Sequence, residues 1–502
     1  MPGRLRAHGG AGGPHRPHDP DAGHARGDDA RTADPGRAAL HEPARGTAAA
    51  PAGYGRGPVR RGHQLLRGRP RGLRRRRPRE RRRARRQGDG GGRERADRRA
   101  RSRVGRAPRA PCAHRRQGAG EPGQGGAGGM NAHEGVVIDC DSHVMEPPDL
   151  WQRYLEPQFR DRAIRIEERD GVEHLLIAEE VVLSGVLAGL GGAGTPVTQL
   201  FGGGMKYVDG CPPGSWDATE RARLLDDWQV DRGVLFPTIG ILPFPTDDLA
   251  LVSAYCRAYN RWQRDFFQAE PDRVIAIATL NWRDVDAAVA ELEQCIADGF
   301  RGIFVPPEVI DGRRPDHPDF DPIWARCAEA GIVGCLHVIV RFGGAAVPFA
   351  GWHESQPGPV FSFGLGATGQ LMPAVAAMVV SGLFDRHPRL RIASVEAGAG
   401  YAPYLMDRLD EKFEIFRPTQ TLEMKPSDYF RRNLWFVAEP EERSIDAVCD
   451  LVGEDRVLWG SDFPHIDSTL AAPELIRQSV ADLAPGRRAK VLGENAMALF
   501  GL

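Results

Sequence analysis

The residues best suited to metal binding or catalysis are two carboxylates and an imidazole that follow a short apolar run. Asp139, Asp141 and His143 come directly after residues 136–138. A β-branched run is typical of a buried strand, and residues two apart on a strand point the same way. Asp141 and His143 are therefore candidate metal ligands at a strand end, with Cys140 expected to face the other way. The alternative is a pair of loop residues that cap a turn.

The net charge of zero conceals two parts of opposite charge. Residues 1–129 contain 33 Arg, no Lys and 11 acidic residues, a net charge of +22, and residues 130–502 carry −22. The first part has only eight Val, Ile, Leu, Met or Phe residues. It cannot bury enough apolar surface to offset its chain entropy, so we expect a disordered, basic, low-complexity segment.

Three interpretations of residues 1–129 compete. A basic arm would bind polyanions through their phosphates. A transit peptide would also be rich in Arg, but it would be shorter and amphipathic. The preferred interpretation is a mis-assigned start, with translation beginning at Met130, directly before the first patterned segment. Nucleic acid is then an unlikely partner, and the acidic charge of residues 130–502 argues against it as well.

Residues 130–502 have the composition of one large globular domain. Seven of the eight cysteines lie there without a C-x-x-C pair, which predicts free thiols in a reducing compartment. No uninterrupted apolar run reaches about 18 residues, so we expect no membrane span. Without a signal peptide, the expected location is the cytoplasm.

Short apolar runs alternate with helical patterns along this domain. Eight strands are predicted at residues 136–138, 233–237, 274–278, 302–305, 332–338, 390–395, 434–437 and 456–459. Strands that alternate with helices must run parallel, and eight such units predict an α/β fold of the (β/α)8 TIM barrel type. A doubly wound open sheet is the alternative. Residues 160–213 are Gly-rich and read as an insertion after the first strand, a lid or a subunit contact.

Three later strand ends also carry chemistry-bearing side chains. The fifth predicted strand leads to His337, the sixth to Glu396 and the eighth to Asp462. Catalytic residues of such barrels collect at the carboxyl ends of the strands. Singly, His337 reads as a core histidine and Asp462 as a helix cap. Jointly with Asp141 and His143 they predict one divalent metal ion, with Zn²⁺ or Mn²⁺ favoured by imidazole and carboxylate ligands.

Six segments give the domain its resemblance to a known family. They are residues 138–143, 336–338, 387–391, 396–404, 459–465 with Trp459-Gly460-Ser461-Asp462, and 493–496 with Gly493-Glu494-Asn495-Ala496. In order and spacing, residues 130–502 resemble the amidohydrolase-related family. The similar branch contains aminocarboxymuconate semialdehyde decarboxylase and the resorcylate-type decarboxylases.

The resemblance implies that Asp141, His143, His337 and Asp462 bind the metal, with Asp139 as support. Two positions depart from the family pattern. Asp141 stands where the strand-1 motif usually has His, and Glu396 stands where a catalytic His is common.

The resemblance also implies a function. We expect a metal-dependent decarboxylase acting on a small aromatic or unsaturated carboxylate. Glu396 is expected to transfer the proton or instead to complete the metal shell, and Asp462 is expected to be a metal ligand that would also serve as the base in hydrolysis. Substrate contacts are expected from Glu146, Trp151, Arg341 and His353.

Two alternatives to the decarboxylase stay open. One is a hydrolase that attacks a C–N, C–O or C–C bond with metal-bound hydroxide. The other is a non-catalytic protein with a polyanion-binding arm. Because relatives are commonly dimers, a homodimer is expected, with the Gly-rich insertion as its possible contact.

Overall fold

A computed structural model describes residues 135–201, 204–339 and 359–502 of the chain. The expectations for residues 1–129, Arg341 and His353 lie outside these ranges.

Eight parallel strands form a nearly closed barrel, which confirms the predicted fold. The barrel strands, in their order around the sheet, are β1 (Ile138–His143), β5 (Arg232–Phe236), β6 (Val274–Ala278), β7 (Gly302–Val305), β8 (Val333–His337), β9 (Arg391–Val395), β10 (Leu434–Ala438) and β11 (Val457–Trp459). A parallel bridge between Ser142 and Phe463 joins the segment after β11 to β1. The carboxyl ends of all eight strands therefore lie at one end of the barrel, which we call the mouth.

Helices follow the barrel strands as the crossovers of parallel strands require. In the described residues the α-helices are α1 (Leu150–Tyr154), α2 (Val197–Leu200), α3 (Ala218–Asp227), α4 (Leu249–Ala269), α5 (Val285–Asp298), α6 (Asp321–Ala330), α7 (Pro359–Val380), α8 (Leu383–Arg386), α9 (Tyr401–Phe416), α10 (Pro426–Asn433), α11 (Ile445–Leu451), α12 (Ala472–Ser479), α13 (Pro485–Ala489) and α14 (Asn495–Phe500). A π-helical turn, Lys490–Glu494, joins α13 to α14.

The predicted insertion after the first strand contains a small sheet of its own. Strands β2 (Arg165–Arg169), β3 (Val172–Ile177) and β4 (Glu180–Ser184) pair antiparallel beside the barrel. The positive φ of Asp170 and Gly171 makes the tight turn between β2 and β3. This Gly-rich region therefore contains a short three-stranded sheet with one exposed face.

Inward-facing side chains of the eight strands fill the barrel and form the floor of the mouth. They include Ile138, Cys140, Val234, Phe236, Ile275, Ile277, Phe304, Val333, Cys335, Ala393, Val395, Trp435, Val437 and Leu458. The rings of His143 and His337 lie against the top of this layer, with centroids 5.7 Å and 4.7 Å from that of Phe236. The apolar core thus supports the polar mouth directly.

Helix α7 is long and mostly apolar. Its window Phe363–Val380, with a mean hydropathy of 1.5, is long and apolar enough to cross a membrane by length and composition alone. Core helices of soluble proteins meet the same criterion, and Leu371, Val375 and Met378 are fully buried against the barrel. The first half of the helix is more open, with Phe363 55% exposed.

Candidate metal centre

A β-bulge at the end of β1 positions the first two candidate ligands. Asp139 pairs with Gly233 and Ser142 with Leu235, so two residues of β1 oppose one residue of β5. A bulge of this kind re-aims the side chains that follow it. As a result Cys140 packs in the barrel interior and Asp141 still reaches the mouth, which corrects the expectation that the two face opposite ways.

The two histidines present their Nε2 atoms to each other. His143 Nδ1 donates a hydrogen bond to the Pro237 carbonyl at 2.9 Å, and His337 Nδ1 donates to the Val338 carbonyl at 2.9 Å. Because a carbonyl oxygen can only accept a hydrogen bond, each Nδ1 carries the proton in the neutral ring, and each Nε2 then has a lone pair available. The two Nε2 atoms lie 3.2 Å apart. A backbone carbonyl on Nδ1 is the usual way to orient a metal-binding imidazole.

Three carboxylate oxygens surround these two nitrogens. Asp141 Oδ1 lies 3.5 Å from Nε2 of both histidines. Asp462 Oδ1 is 3.3 Å from His143 Nε2, and Glu396 Oε2 is 3.4 Å from His337 Nε2. All three oxygens are buried, and none accepts a well-formed hydrogen bond from a described residue. We call these five residues the ligand cage.

Backbone conformation reinforces this geometry at two of the five positions. Glu396 and Asp462 have φ values of 62° and 55°, in the left-handed region that residues with side chains rarely adopt. Each such conformation costs roughly 1–3 kcal/mol and tends to occur at functional sites. The chain therefore accepts local strain at two strand ends that point carboxylates into the mouth.

The ligand cage fits a divalent cation. Two imidazole nitrogens with three carboxylate oxygens form a mixed, oxygen-rich set suited to Mn²⁺ or Zn²⁺. Burial lowers the pKa of His143, but its contacts with the Asp141 and Asp462 carboxylates outweigh burial and raise the pKa to about 10. Without a cation the cage must hold a proton instead, so metal and proton compete for the same atoms.

Buried polar side chains behind the cage hold it in place. Asp139 is fully buried and accepts hydrogen bonds from the Ser461 backbone N–H at 2.9 Å and from its hydroxyl at 2.6 Å. Burial raises the pKa of Asp139 to about 7. Arg221, also fully buried, donates to the Ser142 hydroxyl and the His143 carbonyl. These bonds tie the end of β1 to the segment after β11 and to α3.

His465 is a site residue that the sequence analysis did not single out. Its Nδ1 lies 2.8 Å from Asp462 Oδ1, and its ring lies over that of His143 with centroids 3.9 Å apart. Its Nε2 is 3.1 Å from the Thr238 hydroxyl. The signal was available, because His465 stands three residues after Asp462 in the 459–465 segment that carries the family resemblance.

A cavity of about 750 Å³ opens beside the cage. Its apolar lining includes Val338, Ile339, Phe363, Ala367 and Ala397. Its acidic lining includes Glu396, Asp462 and Asp467, together with Glu439, which directly follows β10. The sequence carries a signal for Glu439, because this carboxylate stands two residues after the end of the seventh predicted strand.

The structure does not bring the two described substrate-contact candidates to this cavity. Glu146 is fully buried and accepts hydrogen bonds from the backbone N–H groups of Thr238, Ile239 and Gly240 at 2.9–3.2 Å. Trp151 is 2% exposed and packs in the core outside the barrel strands. Glu146 therefore secures the loop after β5, and Trp151 secures α1.

Comparison with known proteins identifies the family. The model of the Amidohydrolase family matches residues 138–502. Gamma-resorcylate decarboxylase of Rhizobium sp. (strain MTP-10005) is 32% identical over 243 residues, which cover 46% of this chain and 71% of that protein. The 2-amino-3-carboxymuconate-6-semialdehyde decarboxylase of Dictyostelium discoideum is 24% identical over 296 residues, or 57% of this chain and 77% of that protein.

Solved structures show the same fold. A dihydroxybenzoic acid decarboxylase from Polaromonas sp. JS666, solved with bound manganese and the inhibitor 2-nitroresorcinol, superposes with a TM-score of 0.51. It is 19% identical, and the match covers 73% of this chain and 97% of that one. The chain belongs to the amidohydrolase-related family of metal-dependent enzymes, in the branch similar to the resorcylate and aminocarboxymuconate semialdehyde decarboxylases.

Proposed function

We propose that this protein is a metal-dependent decarboxylase that acts on a small aromatic or unsaturated carboxylate. The observation that carries the proposal is the ligand cage, in which two imidazole Nε2 atoms and three buried carboxylate oxygens converge beside a cavity. The curated relatives of this chain are decarboxylases of such acids, which supports the lyase assignment.

Five residues are proposed to hold one divalent ion, namely Asp141, His143, His337, Glu396 and Asp462. The manganese in a related structure and the oxygen-rich donor set favour Mn²⁺, with Zn²⁺ as the other candidate. When bound, the ion acts as a Lewis acid that polarises oxygen atoms of the substrate. Glu396 then serves as a ligand, which is the second of the two roles expected from the sequence.

The cavity is suited to a small planar substrate. Its volume lies within the roughly 300–1,000 Å³ range of small-molecule sites. Val338, Ile339 and Phe363 offer apolar surface to a ring, and Thr368 and Ser468 offer hydroxyls on the same lining. These side chains would orient the substrate and exclude water around the carbon that loses CO₂.

A carbon dioxide assay tests the proposal. The protein is stripped of metal, reloaded with Mn²⁺ or Zn²⁺, and offered 2,6-dihydroxybenzoate and 5-carboxyvanillate, the acids named for related enzymes. We expect CO₂ release that depends on metal and is lost in His143→Ala. His317→Ala, at a half-buried histidine outside the cavity, is the matched control. Absence of CO₂ from every acid by the metal-loaded protein would contradict the proposal.

A hydrolase is the second candidate, because the matching family model is that of amidohydrolases. The same cage would then serve hydrolysis, with Asp462 as the base. Amides and esters of the same aromatic acids separate the two functions, since a hydrolase releases amine or alcohol without CO₂. A homodimer, a cytoplasmic location and the absence of membrane and nucleic-acid partners stay predictions from the sequence.

A further inference from the structure

The charged side chains in the described lining of the cavity are all acidic. Its described lining includes six acidic residues and no Lys, Arg or His. Two of the six, Glu396 and Asp462, belong to the ligand cage. A decarboxylase also needs an acid that delivers a proton to carbon, and the remaining carboxyl groups are the candidates for that task.

Two of the remaining acids are already engaged with other groups. Glu442 accepts hydrogen bonds from the Ala399 backbone N–H at 2.9 Å and from the Ser444 hydroxyl at 2.5 Å, so it fixes the loop after β9. Asp467 lies so close to Glu396 and Asp462 that carboxylate oxygens of all three fall within 4.8 Å of one another. Asp467 is therefore coupled to the cage rather than independent of it.

Glu439 is placed differently from these neighbours. It directly follows β10, which lies between β9 and β11 in the barrel, the strands that lead to Glu396 and Asp462. Glu439 lines the cavity, and no side chain in the described ranges forms an ion pair with its carboxyl group. Glu439 thus stands at the mouth between two cage residues, with its carboxyl group available.

The surroundings of Glu439 favour its neutral form. Burial raises the pKa of Glu439 to about 8, and the nearby carboxylates of Asp141, Asp462, Asp467 and Glu442 act in the same direction. These surroundings shift the carboxyl group towards its protonated form, the form that a general acid needs before it acts.

We propose that Glu439 is the catalytic acid that protonates the substrate carbon during decarboxylation, an inference that rests on the proposed function. The C–C bond to the carboxylate breaks, its electron pair stays on the ring carbon, and CO₂ leaves. The O–H bond of Glu439 breaks and its proton forms the new C–H bond. The Glu439 carboxylate then regains a proton from water, so the cycle needs no other reactant.

Two measurements on the metal-loaded full chain test this role. The first is CO₂ release, and the second is exchange of the product's ring hydrogen for deuterium in D₂O, followed by NMR. For Glu439→Gln we expect kcat to fall by about 100-fold or more and exchange to be lost, while metal content and KM stay near those of the wild type. Glu439→Asp keeps an acid and is expected to restore part of both signals.

The control is Glu474→Gln, which removes one exposed carboxylate on α12, away from the cavity. Wild-type rates of release and exchange in Glu439→Gln would overturn the inference and leave the decarboxylase assignment intact. Loss of exchange in Asp467→Asn, with exchange kept in Glu439→Gln, would also overturn the inference. No CO₂ from the wild type with any acid would overturn the proposed function, and the role of Glu439 with it. If Glu439→Gln fails to fold, the comparison of Glu439→Asp with wild type decides, because a shorter acid must slow exchange.

Discussion

Two imidazole nitrogens that lie 3.2 Å apart cannot both carry protons, so the pair formed by His143 and His337 requires a shared proton or a cation. The carboxylates around them carry negative charge and also need a positive charge close by. Asp141 Oδ1, Glu396 Oε2 and Asp462 Oδ1 are buried without adequate donors, and burying unpaired charges is costly. A divalent ion satisfies both groups at once, which is why the cage reads as a binding site rather than as a core network.

Competition between metal and proton gives the first prediction. In the metal-free protein the pKa of His143 is raised to about 10, so this ring is protonated across the neutral range. Metal binding must displace that proton, and the dissociation constant should therefore fall about tenfold for each unit of pH rise between roughly 6 and 9. Competition with a fluorescent chelator at several pH values measures it. A dissociation constant independent of pH would contradict this exchange.

Glu396 gives a second prediction at the same scale. As a cage member it should contribute to metal affinity, so Glu396→Gln is expected to weaken binding at least about tenfold. Metal content after dialysis against buffered free metal measures the effect, and Glu441→Gln, an exposed neighbouring position, shows the effect of charge alone. Full metal retention with normal turnover in Glu396→Gln would show that this carboxylate neither binds the ion nor transfers a proton.

At the scale of elements, the hydrogen bonds between β1 and the segment after β11 determine whether the cage forms. Asp139→Ala removes the carboxylate that accepts from the buried Ser461 N–H and hydroxyl and leaves the Asp141 carbonyl as their acceptor, which should lower the free energy of unfolding by about 1–3 kcal/mol. Metal affinity should fall as well, because Asp462 follows Ser461. Urea unfolding and metal titration test both effects. Asp217→Ala removes the N-cap of α3 and should destabilise the protein without changing metal affinity.

Much of this architecture could be predicted from sequence, for a physical reason. Strands buried on both faces are continuous apolar runs, so Val274–Ala278 and Gly302–Val305 were located to the residue. The β1 bulge could not be predicted, because its extra residue is defined only by pairing with β5. The left-handed φ of Glu396 and Asp462 likewise depends on tertiary packing, which local patterns do not contain. Four strand ends pointed to the cage, whereas Glu146 and Trp151 carried no signal that separates packing from substrate contact.

At the scale of the whole molecule, the described contacts of the site and the family match lie in the same part of the chain. Every cage residue and every hydrogen bond described around it falls between residues 135 and 502, and the family match begins at Ile138. A chain that starts at Met130 should therefore keep the metal content and kcat of the full chain, with a Tm within about 2 °C. Because residues 1–129 carry a net charge of +22, only the full chain should bind heparin at low salt. Metal analysis, calorimetry and heparin chromatography of both chains test these expectations, and loss of metal from the shorter chain would assign the first 129 residues a part in the site.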